Sequence, residues 1–323
     1  MPKVFVTRQI PEVGIELLKA KGYEIVVGPE GPTTPEEVLA GASGANAILA
    51  VLTDKIDKAV MEAAGAQLKV IANYAVGYNN IDVPAAKEKN IMVTNTPGVL
   101  TNAVVEHTIA LIMAVADRIP EADKYCRAGK FIAWGPKLLL GADITGKAIG
   151  IVGFGRIGSE ISRRMKAAFD MKILYNDIKQ NAELEKSIGA TYLSLNDLLS
   201  QADFVSLNVA LTPETTHLIN AENLRLMKPT AYLINTSRGP VVDEKALVAA
   251  LQTKQIAGAA LDVYEKEPQI EPELLTMDNV VLAPHIASAT EWTRNKMAEM
   301  AAQNIIAVLD GQTPPNPIPE MQK

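Results

Sequence analysis

The sequence predicts an α/β protein with two doubly wound parallel-sheet domains, and three observations support this prediction. Short apolar runs alternate with stretches of helical periodicity along almost the whole chain. Near-continuous apolar strands separated by helices are typical of a parallel sheet that is covered on both faces. The pattern restarts after a long helix near residue 101, and 323 residues are enough for two domains of ordinary size.

The first half of the chain is predicted to contain five strands with helical stretches between them. The strands are expected at residues 3–7, 24–27, 46–52, 68–73 and 91–94, and the helices at 12–21, 35–40 and 58–64. A turn at Thr96, Pro97 and Gly98 then precedes a long helix, 101–118. Because proline and glycine interrupt regular structure, this turn marks a domain boundary.

The second half is predicted to contain six strands, the number in a full dinucleotide-binding fold. They are expected at residues 148–152, 172–176, 204–209, 231–236, 257–263 and 280–283. A final helix, 290–309, has no strand after it, and the tail 311–323 contains four prolines and is expected to lie extended on the surface. Since the final helix best completes the first domain, the predicted domains are 1–98 plus 289–323, and 99–288.

A glycine-rich turn follows the first strand of the second domain, in the sequence AIGIVGFGRIG of residues 148–158. Gly153 allows a tight turn, Gly155 allows a pyrophosphate to approach the backbone, and Gly158 allows the next helix to pack on the strand. Asp177 ends the following strand, nineteen residues after Gly158. A carboxylate there can accept both ribose hydroxyls of NAD and would repel a 2′-phosphate. A tight turn in another α/β protein would explain the glycines but not Asp177, so an NAD site is predicted.

Composition excludes several other classes of protein. Apolar residues make up 48% and charged residues 21% of the chain, its net charge is −6, and no basic cluster suggests a nucleic-acid surface. Cys126 is the only cysteine, which excludes an internal disulfide and a cysteine-based metal site. The first residues lack the apolar core of a signal peptide, and the most apolar helix is too short to span a bilayer. We therefore expect a cytoplasmic protein without a metal.

Three charged residues are predicted to follow strands of the second domain, at the sheet edge where ligands of such folds bind. A guanidinium such as that of Arg238 can bind the carboxylate of a 2-keto acid in bidentate fashion. A histidine such as His285, with a reference pKa of about 6.5, can donate a proton to the neighbouring carbonyl oxygen. A carboxylate such as Glu267 can orient the imidazole and stabilise its protonated form. We assign these three roles accordingly, against the alternative that each residue is an ordinary surface or turn residue.

The chain resembles the D-isomer-specific 2-hydroxyacid dehydrogenases over nearly its entire length. The matching motifs are NYAVGYNNIDV, NTPGVLTNAVVEHTIAL, GIVGFGRIGSEI, INTSRGPVVDEKAL, ALDVYEKEP and PHIASAT, in the family's order. The family's arginine, glutamate and histidine correspond to Arg238, Glu267 and His285. The resemblance implies two Rossmann-like domains with a substrate cleft between them, the first being the substrate domain and the second the NAD-binding domain.

The resemblance also implies ligand contacts and an assembly. The backbone N–H groups of Val76 and Gly77 would hold the substrate carboxylate, and a homodimer would use the long helix after Thr101. Cofactor contacts would come from Arg156, Ile157, Asp177, Val209, Ala210, Thr215, Thr236 and Asp262. Three departures from the family pattern, Asn79, Ala210 and Ala287, remove no catalytic group but affect loop shape.

The loop YAVGYNNID is most similar to the glyoxylate and hydroxypyruvate reductase branch, so we expect reduction of a small 2-keto acid with NADH. Lys179, close to Asp177, leaves room for some use of NADP. Two alternatives remain: a phosphite-type dehydrogenase on the same scaffold, and a non-enzymatic NAD-sensing protein like the corepressors of this fold. His107 and His217 are interpreted as structural residues, and Trp134 as a residue that could line a pocket.

Overall fold

The computed structural model describes residues 1–322, which form two compact units. The first consists of Met1–Leu100 and the chain from Ser288 onward, and the second of Thr101–Ala287. Both are layered α/β units with parallel sheets, as predicted.

The first unit contains a five-stranded parallel sheet of order β2-β1-β3-β4-β5. Its strands are β1 (Lys3–Val6), β2 (Glu24–Val27), β3 (Ala47–Val51), β4 (Val70–Tyr74) and β5 (Met92–Thr94). Its helices are α1 (Glu12–Ala20), α2 (Pro35–Ala42), α3 (Lys58–Ala64), α4 (Val83–Glu88) and, at the end of the chain, α12 (Glu291–Leu309). Helix α1 packs closely on α12, since a Cβ atom on Gly14 would lie 2.8 Å from the carbonyl oxygen of Ala298.

The proline-rich tail lies largely on the surface, as predicted, but Pro314 and Ile318 are buried. Ile318 is fully buried, and its N–H donates to the carbonyl of Val93 at 3.1 Å. Pro317 forms an isolated bridge with Thr94 at the same place. Burial of this isoleucine among apolar residues of the first unit anchors the tail against β5.

The second unit contains a seven-stranded parallel sheet of order β12-β11-β10-β9-β6-β7-β8. Its strands are β6 (Ala148–Val152), β7 (Lys172–Asn176), β8 (Ala190–Tyr192), β9 (Phe204–Leu207), β10 (Tyr232–Asn235), β11 (Gly258–Leu261) and β12 (Val280–Leu282). Its helices are α5 (Thr101–Ala116), α6 (Ile119–Arg127), α7 (Arg156–Phe169), α8 (Ala182–Ile188), α9 (Leu195–Gln201), α10 (Ala221–Leu226) and α11 (Glu244–Gln252). Apolar clusters fill both faces of this sheet.

Besides shifts of one or two residues at strand ends, the structure differs from the sequence prediction in one strand, in several helices and at the end of the long helix. The second sheet has seven strands rather than six, because β8 is a three-residue edge strand without an apolar run. No bounds were predicted for helices α4, α6 and α8 to α11. The long helix ends at Ala116 rather than residue 118, because Arg118 adopts a left-handed conformation (φ 55°) and α6 begins at Ile119, with Pro120 in its first turn.

The strand order of the second unit reverses at β6, whose neighbours are β9 on one side and β7 on the other. In open parallel sheets, ligands bind outside the carboxyl ends of the strands at such a switch point. The glycine-rich turn follows β6 and therefore lies at this position. Across residues 1–322, none of the helices is both long enough and apolar enough to cross a membrane.

Candidate active site

The glycine-rich turn has the geometry expected of a pyrophosphate cradle. Gly153 has φ 91°, and a Cβ there would lie 2.8 Å from the carbonyl oxygen of Asn208. A Cβ on Gly158 would collide with the carbonyl of Gly153, whereas the space beside Gly155 is open. Helix α7 begins at Arg156 without a side-chain cap, so its first N–H groups are available to an anion. These residues fit a dinucleotide phosphate.

Asp177 lies directly after β7, next to this turn. Its Oδ2 accepts the N–H of Phe154 at 2.6 Å, and its Oδ1 accepts the N–H of Ile178 at 2.7 Å. Each carboxylate oxygen keeps a further lone pair for a ligand hydroxyl. The carboxylate is thus fixed beside the glycine turn, where a ribose that follows the pyrophosphate would lie.

The other predicted cofactor residues follow strands β9, β10 and β11 of the same sheet. After β9 come Val209 and Ala210, and Thr215 Oγ1 donates to the carbonyl of Ala210 at 2.7 Å. After β10, Thr236 Oγ1 lies 2.9 Å from Thr108 Oγ1 on α5. All four residues lie at the sheet edge that carries the glycine turn. The hydroxyls of Thr215 and Thr236 also contact other groups of the protein.

Arg238 follows β10 in a turn that is held by hydrogen bonds from side chains to main-chain carbonyl groups. Asn235 Nδ2 donates to the carbonyl of Arg238 at 3.0 Å, and Arg238 Nη1 donates to the carbonyl of Ser237 at 2.7 Å. Gly239 is required next, because a Cβ there would collide with the carbonyl of Tyr264. Burial lowers the pKa of the Arg238 guanidinium, and the charge of Glu267 opposes this shift. A charged guanidinium in such surroundings attracts an anion strongly.

Glu267 and His285 come together at the neighbouring strand ends, β11 and β12. His285 Nδ1 lies 2.8 Å from Glu267 Oε2, and the other carboxylate oxygen accepts the N–H of Tyr264 at 3.1 Å. Both side chains are about a quarter exposed. With Nδ1 engaged by the carboxylate, Nε2 is the nitrogen left to exchange a proton with a ligand. This arrangement can perform general acid–base chemistry.

Asp262 holds the backbone of the loop that carries His285. Its buried carboxylate accepts the N–H of Ile286 at 2.8 Å and of Ala287 at 2.9 Å, while its carbonyl accepts the N–H of His285 at 2.9 Å. His285 has φ 55°, which is uncommon for a residue other than glycine. The three hydrogen bonds offset the cost of this conformation. Sequence reasoning gave Asp262 only a cofactor contact and missed this role.

Glu244, at the start of α11, was also missed. Its carboxylate is 5% exposed and accepts the N–H of Glu265 at 2.8 Å and of Glu271 at 2.9 Å. Glu265 in turn accepts the N–H of Glu244 at 3.1 Å. These bonds tie both ends of the segment that contains Glu267. In the sequence, Glu244 is marked only by its position directly after Asp243, the N-cap residue of α11. This position does not show which distant main-chain groups its carboxylate contacts.

Val76 and Gly77 lie in the first unit, in the loop that follows β4. Neither of their N–H groups has an acceptor within residues 1–322, whereas their carbonyl oxygens accept the side chains of Asn95 and Asn73. Two adjacent N–H groups without protein acceptors can bind an anion. Their predicted role with a substrate carboxylate stays a prediction.

The residues interpreted as structural have defined partners. His107 Nε2 lies 3.3 Å from Asp262 Oδ1 without hydrogen-bond alignment, and His217 Nε2 lies 3.0 Å from Glu265 Oε1. Trp134 is 81% exposed. Within the described chain, no group of three or more histidine, cysteine or acidic residues is arranged to hold a metal.

Comparison with known proteins identifies the family. The sequence model of the D-isomer specific 2-hydroxyacid dehydrogenase NAD binding domain matches residues 109–287. A glyoxylate reductase from Thermococcus kodakarensis is 51% identical, with coverage of 97% of this chain and 95% of that protein. A glyoxylate reductase from Thermofilum pendens is 53% identical, with coverage of 97% and 93%.

Solved structures agree with the sequence comparison. A Thermus thermophilus protein has a TM-score of 0.92 at 44% identity, with coverage of 98% of this chain and 99% of that one. An NADPH-dependent glyoxylate/hydroxypyruvate reductase from Sinorhizobium meliloti, in complex with NADP and malonate, has a TM-score of 0.87 at 33% identity, with coverage of 99% and 97%. The chain therefore belongs to the D-isomer-specific 2-hydroxyacid dehydrogenase family, in its glyoxylate reductase branch, and is an oxidoreductase that acts on the CH–OH group of hydroxy acids.

Proposed function

We propose that the protein reduces a small 2-keto acid of the glyoxylate or hydroxypyruvate type with NADH, and that His285 donates the proton. The observation that carries this proposal is the 2.8 Å contact between His285 Nδ1 and Glu267 Oε2. It lies at the carboxyl edge of the sheet whose β6 bears the glycine turn. A bound NADH would supply the hydride for the carbonyl carbon.

The chain's own residues would control the proton and the substrate's orientation. Glu267 accepts the Nδ1 proton of His285, so Nε2 carries the proton that is transferred to the carbonyl oxygen. The adjacent carboxylate would hold the imidazole in the orientation that this transfer needs. Arg238, partly desolvated, would bind the substrate carboxylate through the two N–H groups of its planar fork. This pairing would place the neighbouring carbonyl in a fixed orientation.

We propose NADH as the preferred cofactor, held by the glycine turn and by Asp177, with Val209, Ala210, Thr215 and Thr236 along the adjoining strand ends. Asp177, fixed beside the turn by two backbone N–H groups, would accept ribose hydroxyls and repel a 2′-phosphate. The Sinorhizobium relative binds NADP, so the preference needs direct measurement.

We propose a homodimer that uses the long helix α5, as the family resemblance implies, together with exposed apolar side chains in α6 and in the segment that follows it. Ile132, Trp134, Leu140 and Phe131 are 93%, 81%, 64% and 60% exposed, and Ile119 is 55% exposed. Several large apolar side chains exposed within one segment of the chain favour a protein interface. Light scattering after size exclusion tests this: Ile132→Ser combined with Trp134→Ser should yield monomer, whereas Leu275→Ser, at an exposed position outside this segment, should not. A wild-type monomer would contradict the proposal.

The cytoplasmic location stays a prediction.

The function is tested by the loss of NADH absorbance with glyoxylate, hydroxypyruvate, pyruvate and 2-ketoisocaproate, repeated with NADPH. Turnover, greatest with glyoxylate or hydroxypyruvate and faster with NADH, is the expected result. NAD reduction with phosphite but no keto-acid turnover would instead favour phosphite oxidation. Measurable NADH binding without turnover of any of these substrates would favour a cofactor-sensing protein.

A further inference from the structure

The loop after β4 has its carbonyl groups fixed by other segments of the first unit. The carbonyl of Ala75 accepts the N–H of Thr96 at 2.9 Å. The carbonyl of Val76 accepts Asn95 Nδ2 at 2.7 Å, and the carbonyl of Gly77 accepts Asn73 Nδ2 at 2.8 Å. Three successive peptide groups are thus held by their oxygen atoms.

Holding a carbonyl oxygen also directs the next N–H group. In a planar trans peptide, the C=O of one residue and the N–H of the next point in opposite directions. The bond to the carbonyl of Ala75 therefore directs the N–H of Val76. The bond from Asn95 directs the N–H of Gly77, and the bond from Asn73 directs the N–H of Tyr78. None of these N–H groups has an acceptor within residues 1–322.

Asn73 is itself fixed by Asn80 through a reciprocal pair of amide hydrogen bonds. Asn73 Nδ2 lies 3.2 Å from Asn80 Oδ1, and Asn80 Nδ2 lies 3.1 Å from Asn73 Oδ1. Asn80 Nδ2 also lies 3.2 Å from the carbonyl of Val51 and 3.1 Å from that of Asp54. Asn73 is fully buried and Asn95 is 7% exposed, so both amides make their hydrogen bonds to protein groups.

We infer that Asn95 and Asn73, the latter braced by Asn80, are positioning residues that aim the N–H groups of Gly77 and Tyr78 at the carboxylate of the substrate. This inference rests on the proposed reduction of a 2-keto acid and adds Tyr78 N–H as a third donor beside those of Val76 and Gly77. An amide is suited to this task because it donates to a carbonyl and adds no negative charge where an anion is to bind.

The test uses Asn95→Ala and Asn73→Ala, with Asn46→Ala as the matched control. Asn46 also bridges segments of this sheet, accepting the N–H of Lys3 at 2.8 Å and donating to the carbonyl of Gln67 at 3.5 Å, but at the opposite edge. For each variant we would measure KM and kcat with the best keto acid, inhibition by oxamate with NADH present, the Kd of NADH, and thermal stability.

The expected result is a rise of tenfold or more in KM and in the oxamate inhibition constant for Asn95→Ala and Asn73→Ala, with the NADH Kd within twofold of wild type. A tenfold rise corresponds to about 1.4 kcal/mol. Asn46→Ala should lower the thermal midpoint without changing KM. If an alanine variant fails to fold, Asn95→Ser and Asn73→Ser provide the same measurement with a smaller loss of polar contact.

Folded variants whose KM and oxamate inhibition stay within twofold of an active wild type would overturn this inference alone. A wild-type protein that neither reduces a 2-keto acid nor binds oxamate would overturn the proposed function, and this inference with it. An equal rise in KM for Asn46→Ala would show that any loss of packing in the sheet has the same effect, which also overturns the inference.

Discussion

Replacing Glu244 by glutamine should lower kcat without touching any residue that contacts a ligand. Both carboxylate oxygens of Glu244 accept backbone N–H groups, from Glu265 and Glu271, and Glu267 lies between these two anchors. Glutamine has one acceptor oxygen, so one buried N–H would face an NH₂ group. Since hydrogen bonds to a charged group contribute about 1.5–3 kcal/mol, we expect a stability loss of about 2–3 kcal/mol.

The effect on catalysis follows from the greater mobility of the segment between Glu265 and Glu271, which contains Glu267. General acid–base catalysis contributes about 10²- to 10⁴-fold to the rate of an enzyme. Part of this contribution is lost if Glu267 no longer holds His285 in one orientation. We expect kcat to fall about tenfold, with KM and the NADH Kd little changed. Steady-state kinetics and thermal unfolding of the same preparation would measure both effects.

The neighbouring residue provides the control. Asp243 caps α11 by accepting the N–H of Ala246 at 3.0 Å. Asp243→Ala should cost about 1 kcal/mol of stability through loss of this cap. Its kcat should equal that of wild type. If Glu244→Gln is destabilised but retains a kcat within twofold of wild type, the orientation of Glu267 does not depend on Glu244 and the reasoning is refuted.

Three further substitutions test the proposed site. His285→Ala should lower kcat by at least about 10²-fold while NADH still binds, as measured by fluorescence titration; a near-normal rate would remove His285 from proton transfer. Arg238→Lys should raise KM for the keto acid by about tenfold or more, because an ammonium cannot reproduce the bidentate fork, and unchanged kinetics would exclude the carboxylate role. Asp177→Ala should shift the ratio of kcat/KM for NADH over NADPH toward NADPH by about tenfold, and an unchanged ratio would mean that another residue selects the cofactor.

The sequence predicted those parts of the fold and the site that depend on local spacing. The glycine turn and the acid after the next strand are nineteen residues apart, and the polar residues after three successive strands follow from the alternation of strands and helices in a parallel sheet. Residues 148–152 form a buried apolar run, and such a run predicts a strand from its own sequence. By contrast, β8 consists of only Ala190, Thr191 and Tyr192, which pair with β7 alone, so its existence depends on a neighbour and not on its own sequence.

The residues that hold the loops could not be predicted, because their partners are distant main-chain groups. Glu244 bonds to N–H groups 21 and 27 residues away, and Asn95 bonds to a carbonyl 19 residues away. A main-chain group has no side-chain identity that a sequence pattern could display. His107 illustrates the same limit: its structural role stays a prediction, and its 3.3 Å approach to Asp262 is visible only in the fold.

Whether a carboxylate or an amide fixes a loop depends on the main-chain group that it contacts, an N–H or a carbonyl oxygen. In the second unit, Asp262 and Glu244 hold N–H groups, and a carboxylate can only accept. In the first unit, Asn73 and Asn95 hold carbonyl oxygens, for which a donor is required. A lysine would also donate, but its long side chain and charge are costly to bury, whereas an amide is neutral and short. Carboxylates thus hold the two segments that carry Glu267 and His285, and amides suit the loop proposed to present N–H groups to an anion.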